Sequence, residues 1–231
     1  MFPWGSAVAL AFAGTFGVLA QQAGVVTPSD VHPISGRRFA QVMSADGADW
    51  LDRPERIEEE QPDQALDALK IPQGAVVADV GAGSGYMTVK LSNRVGPTGK
   101  VYANDIQSEM LRLLGLRLKA NGISNVTLVQ GEPDDPKLPA STLDLELLVD
   151  VYHEFSAPQT MLRHLRDALK PTGRLVLLEY RKEDPRIPIR PEHKMSVAQA
   201  KLEVEAEGYT LSQVDESLPR QHILVFTKRG P

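Results

Sequence analysis

The sequence contains no cysteine. That excludes disulfides, thiolate-held metal, a thiol nucleophile and a lipid-bearing cysteine. It leaves the compartment open, because a chain without thiols suits either redox environment. Basic charge is also short: 25 Lys and Arg stand against 30 Asp and Glu, a net charge of −5. Non-specific nucleic-acid binding needs basic surface to displace phosphate counterions, so no nucleic-acid partner is expected. A small-molecule partner suits this balance better. No charged side chain occurs from Met1 to Ser29. Within that stretch Ala7 to Ala20 (AVALAFAGTFGVLA) is almost wholly apolar and ends at Gln21-Gln22.

That run is shorter than the roughly 20 residues of a membrane-spanning helix. It matches the apolar region of a secretory signal peptide, with Val18-Leu19-Ala20 at the cleavage site, although the usual preceding Lys or Arg is missing. Residues 1–20 therefore read as a signal peptide or membrane tether. This implies a periplasmic or cell-envelope protein with membrane association through the segment. The competing reading is a buried N-terminal helix or tail on a cytoplasmic protein.

The 231 residues, 42% apolar and 24% charged, suit one α/β domain with an added end. Residues 21–70 read as a linker with Pro28 and Pro33, followed by a helical preamble. That preamble is a candidate lid, with Arg37, Arg38, Trp50 and Arg53 as contacts. Within it, Pro54 to Leu69 reads as one helix. Ile57, Ala65, Leu66 and Leu69 would face a core, and Glu58-Glu59-Glu60 would form a solvated face.

Residues 71–231 form the main domain, in which strands and helices alternate. AVVADV (75–80), KVYAND (100–105), NVTLVQ (125–130), TLDLELLVDV (142–151) and RLVLLEY (174–180) read as successive strands. Their apolar character on both faces is that of a parallel sheet covered on both sides. Helices are expected over 84–93, from Ser108 to Lys119, and from Ser156 to near Leu169, before Pro171-Thr172-Gly173. Ser156 to Gln159 and Ser196 to Gln199 have the form of capping boxes. TLSQVD (210–215) and HILVFT (222–227) are joined by a short turn near Pro219 and predict an antiparallel hairpin. The fold class is α/β: doubly wound, mostly parallel, with helices on both faces.

Asp79-Val80-Gly81-Ala82-Gly83-Ser84-Gly85 lies where the first strand passes into a helix. Ligands of doubly wound sheets bind beyond the carboxyl ends of the strands. Glycine there permits a sharp turn and lets a ligand touch backbone. The spacing is Gly-x-Gly-x-Gly, not the Gly-x-Gly-x-x-Gly that aims helix N–H groups at a pyrophosphate. Asp79 would repel a phosphate but suits an ammonium group. Asp105 closes the second strand, where a carboxylate can accept two ribose hydroxyls. The competing role for Asp105 is to start a turn.

VADVGAGSGYMTVKL, VYANDIQSEML, GEPDDPKLPASTLDL and LKPTGRLVLLEY, in this order over about residues 72–228, resemble the successive motifs of class I S-adenosylmethionine-dependent methyltransferases. The resemblance implies a seven-stranded sheet with its last strand antiparallel and S-adenosyl-L-methionine as cofactor. It implies that Asp79, Gly81, Ala82, Gly83 and Gly85 line the methionine part, and that Asp105 and Ile106 hold the ribose and its surroundings. An acid after the third strand would meet adenine. Counting from Gly131 gives Glu132, and counting back from Leu138-Pro139 gives Asp134. Asp150 at the end of the fourth strand completes the cofactor set.

In this family the end of strand four faces the methyl group. Here it reads Asp150-Val151-Tyr152-His153-Glu154-Phe155. His153 is the candidate base, because imidazole titrates near neutrality, with Tyr152 and Glu154 beside it as further catalytic candidates. The competing role of His153 is to hydrogen bond within a loop. Glu179, Tyr180, Arg181 and His193 are candidate substrate contacts. The Asn/Asp-Pro-Pro-Tyr/Phe motif of amino methylation is missing. No metal is expected, because the histidines at 32, 153, 164, 193 and 222 lack ligand-like spacing. The sequence thus predicts methyl transfer to a small-molecule or lipid-like acceptor. A non-catalytic module binding adenosylmethionine or adenosylhomocysteine, and an NAD-dependent oxidoreductase, are the competing readings.

Overall fold

The computed structural model describes residues 30–230. The expected signal or tether lies outside the described residues. Among those described, no helix is long and apolar enough to cross a membrane.

Seven strands form one sheet: β1 (Val76–Val80), β2 (Lys100–Asp105), β3 (Val126–Gln130), β4 (Leu143–Val149), β5 (Leu169–Tyr180), β6 (Tyr209–Asp215) and β7 (Gln221–Lys228). Their order is β3-β2-β1-β4-β5-β7-β6. β1 to β5 pair in parallel, while β7 runs antiparallel to both β5 and β6. The central strands are buried on both faces, as their continuous apolar runs predict. On one face Leu175 and Leu177 pack with α5 (Pro158–Ala168) and α6 (Val197–Ala206). On the other, Val176 and Leu178 join the cluster built on α2 (Pro62–Ala68) and α3 (Tyr86–Val95). α4 (Ser108–Ala120) covers β2 and β3, with Leu114 and Leu118 against Ala103. This is the doubly wound sheet that the sequence predicts.

Local departures have physical causes. The helix expected over 54–69 is two pieces, α1 (Arg56–Glu60) and α2, broken by Gln61 in the left-handed region at φ 48°. The break turns Ile57 outward, 64% exposed, and buries Glu60. Ile57 is therefore not a core residue, and Glu60 is not part of a solvated face. Ser156 does not cap α5. Ala157 holds that position and Pro158 takes the first helical turn, where its missing N–H costs nothing. The Ser196–Gln199 capping box forms as expected. Pro171-Thr172-Gly173 lies within β5, and a register shift opposite, between Leu143 and Leu145, absorbs the irregularity.

Candidate functional site

β1 is flanked by β2 on one side and β4 on the other, and the chain order reverses there. The carboxyl ends of these strands splay apart and leave a crevice, as switch points in open α/β sheets do. A cavity of about 310 Å³ occupies it, within the size range of ligand pockets. Gly81, Gly83, Asp105, Ile106, Asp150 and Glu154 are on its walls.

The glycine turn is tied to the end of β2. The N–H groups of Gly81 and Ala82 both donate to the Asn104 carbonyl, at 2.9 and 2.8 Å. Gly83 N–H donates to Asp105 Oδ2 at 2.9 Å, and Gln107 N–H donates to Oδ1 at 2.9 Å. Asp105 thus sets the turn through one oxygen and starts its own through the other. Each oxygen keeps lone-pair capacity for a ligand. Burial pushes the Asp105 carboxyl up, and these backbone N–H groups work against that. Gly83 has φ +54°, and a Cβ there would lie 2.8 Å from Leu51 Cδ1, so the preamble closes directly onto bare backbone.

Asp79 is not on the cavity wall. It lies 2% exposed beneath the turn, where its Oδ2 accepts a 2.6 Å hydrogen bond from the Thr88 hydroxyl. Burial pushes its carboxyl up to about 6. The folded state therefore binds this proton more tightly than the unfolded chain, whose Asp titrates near 3.9. Stability falls as pH rises from about 4 through about 6, and the full cost above that is no more than about 3 kcal/mol. Asp79→Asn is expected to be more stable than the parent at pH 8 and equal to it at pH 4, read from urea midpoints. Parallel pH profiles for the two proteins would refute this.

Asp150 does face the cavity. It sits in the left-handed region at φ 53°, a strain that functional sites often carry. Gln221 Nε2 donates to its Oδ2 at 2.7 Å, while its shielded Oδ1 has no partner. Burial, then Glu60 and Glu179, hold its carboxyl well above the usual range. Arg56 shares the wall. It was not singled out in the sequence, where nothing separates it from the charged residues around it. Its guanidinium bonds Glu60 Oε2 at 2.5 Å and the Leu51 carbonyl at 2.8 Å, and it stacks on Tyr86.

Glu132 and Asp134 do not line the cavity. Both are exposed, Glu132 lies 3.4 Å from Lys137 Nζ, and Pro133 takes the wall position between them.

The preamble does cover the site. Val42, Met43, Trp50 and Leu51 form the outer wall. Arg53 stacks on Trp50 at 3.6 Å and reaches Glu59 and Glu60, and Tyr180 donates to Glu60 at 2.8 Å. Arg37 is not a substrate contact. It is buried, paired with Glu203, and donates to the His153 carbonyl at 2.9 Å. Arg38 is exposed and lies away from the cavity.

The end of β4 splits its candidates. Glu154 is on the cavity wall. Tyr152 is fully buried, is not on that wall and donates to Glu203 Oε2 at 2.9 Å. His153 lies 2% exposed behind the wall, with Nδ1 2.5 Å from Glu179 Oε2 and Nε2 3.2 Å from His193 Nδ1. Burial pulls its imidazole down, but the Glu179 carboxylate outweighs that and the pKa is raised. Burial lifts Glu154 to about 7 against the opposing pull of His153. Arg181 is held by Glu216 and neighbouring carbonyls.

Comparison with known proteins agrees with this geometry. The family profile described as "Methyltransferase domain" matches residues 77–173. Ubiquinone/menaquinone biosynthesis C-methyltransferase UbiE of Pseudomonas savastanoi pv. phaseolicola is 37% identical over 123 residues, 51% of this chain and 46% of that protein. The Escherichia fergusonii enzyme of the same name is 34% identical over 118 residues, 51% and 47% of the two chains. This chain thus spans about half the length of the curated relatives it matches. A SAM-dependent methyltransferase from Aquifex aeolicus superposes with a TM-score of 0.76 at 29% identity, covering 80% of this chain and 98% of that one. The strand order, the glycine turn tied to Asp105 and the matched profile agree: residues 77–173 match a methyltransferase domain, and the fold is that of a solved SAM-dependent methyltransferase.

Proposed function

We propose that the protein transfers a methyl group from S-adenosylmethionine to a small apolar or aromatic acceptor. The observation that carries this reading is Asp105, which ties the glycine turn while facing the switch-point cavity. The residues fit the cofactor. Asp105 would accept the ribose hydroxyls, and Gly81 and Gly83 offer bare backbone. Asp150, with its unpartnered oxygen, and the cationic Arg56 share one wall, a polar pair suited to the amino-acid end. Asp79 would act from beneath by fixing the turn. Ile106 and Pro133 would flank adenine, in place of a carboxylate contact from Glu132 or Asp134.

The bound cofactor supplies an electrophilic methyl on a sulfonium centre. The chain's own task is then alignment and exclusion of water. Met43, Trp50, Phe155 and Met161 surround the rest of the cavity with apolar surface, which supports an apolar acceptor. The curated relatives named for quinone biosynthesis point to the same class, a quinone-like ring. Glu154 is the carboxylate nearest to hand for the acceptor's polar atom, and His153 would act only through its neighbours.

Calorimetry with adenosylmethionine, adenosylhomocysteine and NAD tests the cofactor. The adenosyl ligands are expected to bind and NAD is not. Asp105→Ala is expected to weaken them by about 1.5–3 kcal/mol, roughly 10- to 150-fold, as for a lost hydrogen bond to a charged group. Binding of NAD instead, or unchanged affinity in Asp105→Ala, would sink the reading. Formation of adenosylhomocysteine with a hydroquinone acceptor separates an enzyme from a module that only binds the cofactor.

A further inference from the structure

Metal-ligating side chains from two turns far apart in the sequence meet beside the cavity. His153 and Glu154 lie in the turn Tyr152–Glu154 after β4, and His193 ends the short turn Pro191–His193. One ligand atom from each lies within 4.8 Å of the others. His153 Nε2 and His193 Nδ1 are 3.2 Å apart. Two nitrogens each about 2.0–2.1 Å from one tetrahedral metal ion lie roughly 3.3 Å apart. The pair is therefore already at the separation that a shared ion requires.

The rear of the site has the matching form. Glu179, fully buried at the end of β5, holds His153 Nδ1 at 2.5 Å. A carboxylate behind a histidine fixes its tautomer and ring orientation and leaves the outer nitrogen bare for a metal. Charge points the same way. Glu179 Oε2 lies 2.5 Å from His153 Nδ1, and Glu154 follows His153 directly in the chain. Glu179 Oε1 and Asp150 Oδ1 have no hydrogen-bond partner. A divalent cation in front of the two histidines would offset this excess of shielded carboxylate.

We propose that His153, His193 and Glu154 form a binding site for a divalent first-row transition metal, with Glu179 as the positioning residue behind His153. Two imidazoles and one carboxylate suit zinc, iron(II) or manganese. Three protein ligands leave coordination positions open. Glu154 is also on the cavity wall, so the site adjoins the acceptor space. The site does not depend on the methyl-transfer reading, because the metal is titrated alone.

The chelator-stripped full-length protein is titrated with Zn²⁺ by calorimetry and with Co²⁺ by its visible absorption. One equivalent of each is expected to bind. His193→Gln and Glu154→Gln should each lower the affinity at least tenfold and alter the cobalt spectrum. Glu179→Gln should lower it by roughly 10- to 100-fold, as loss of a metal ligand's outer partner does. His164→Gln, at an exposed histidine, should change nothing. His193 is only half-buried, and unchanged metal-free melting of its variant shows that the fold is intact. Absence of stoichiometric binding, or equal binding in His193→Gln and Glu154→Gln, overturns the proposal. Glu179–His153–His193 would then be a hydrogen-bonded chain and nothing more.

Discussion

Glu203→Ala is expected to destabilise the protein by about 3–5 kcal/mol, the cost of leaving a buried charge without its partner. Glu203 lies on α6 and is fully buried. Arg37 Nε approaches its two oxygens at 2.9 and 3.1 Å, Tyr152 donates to it at 2.9 Å, and Ser35 also bonds it. Removing the carboxylate strands the Arg37 guanidinium, itself 5% exposed, among Phe39 and Tyr152. For a domain of this size the loss lowers Tm by roughly 10–15 °C. Arg37 also donates to the His153 and Tyr152 carbonyls, so the turn after β4 should loosen with it. The double variant Arg37→Met, Glu203→Met removes both charges and should be markedly more stable than Glu203→Ala. If the double variant is the weaker of the two, the ion pair is not what holds this corner.

Gly81→Ala is expected to cost up to about 5 kcal/mol. Gly81 has φ +72°, and a Cβ there would lie 2.5 and 2.6 Å from the two methyls of Val151 and 3.1 Å from its Cβ. Left-handed backbone adds about 1–2 kcal/mol for an alanine, and overpacking adds about 1–3 more. Val151 is β-branched and cannot swing its methyls away, so the strain passes to the end of β4. Affinity for adenosylhomocysteine should fall at least tenfold, because both strands that flank the cofactor's place are pushed apart. Adding Val151→Ala removes the two clashing methyls but leaves the 3.1 Å contact to its Cβ and the backbone strain. The double variant should recover about half of the lost stability, a coupling measurable by a double-mutant cycle. Full additivity of the two substitutions would show that the turn and β4 do not meet as described.

The sheet was legible because its strands are apolar on both faces, so Leu175 to Leu178 needs no tertiary partner to be recognised. The Ser196 cap and the hairpin near Pro219 were legible because a local sequence of four to six residues decides them. The Ser156 cap failed because a proline two residues on competes for the first turn. Ile57 and Glu60 were misread because one left-handed residue, Gln61, rotated the face on which each lies.

The site divided along the same line. Gly81, Gly83 and Asp105 sit at the ends of adjacent strands, and strand order alone brings them together. Arg56 reaches the cavity only because the preamble folds over the sheet, and the separation of His153 from His193 in the chain conceals their contact. Residue types and spacing by themselves determined the doubly wound domain, its glycine turn and the acid that closes the second strand, because periodicity and local turn chemistry are carried by neighbours in the chain. The tertiary structure alone decided which carboxylates face the cavity. Asp150 and Glu154 do, while Asp79, Glu132 and Asp134 do not, because the direction of a side chain at a strand end or in a loop is set by packing against segments far away in sequence.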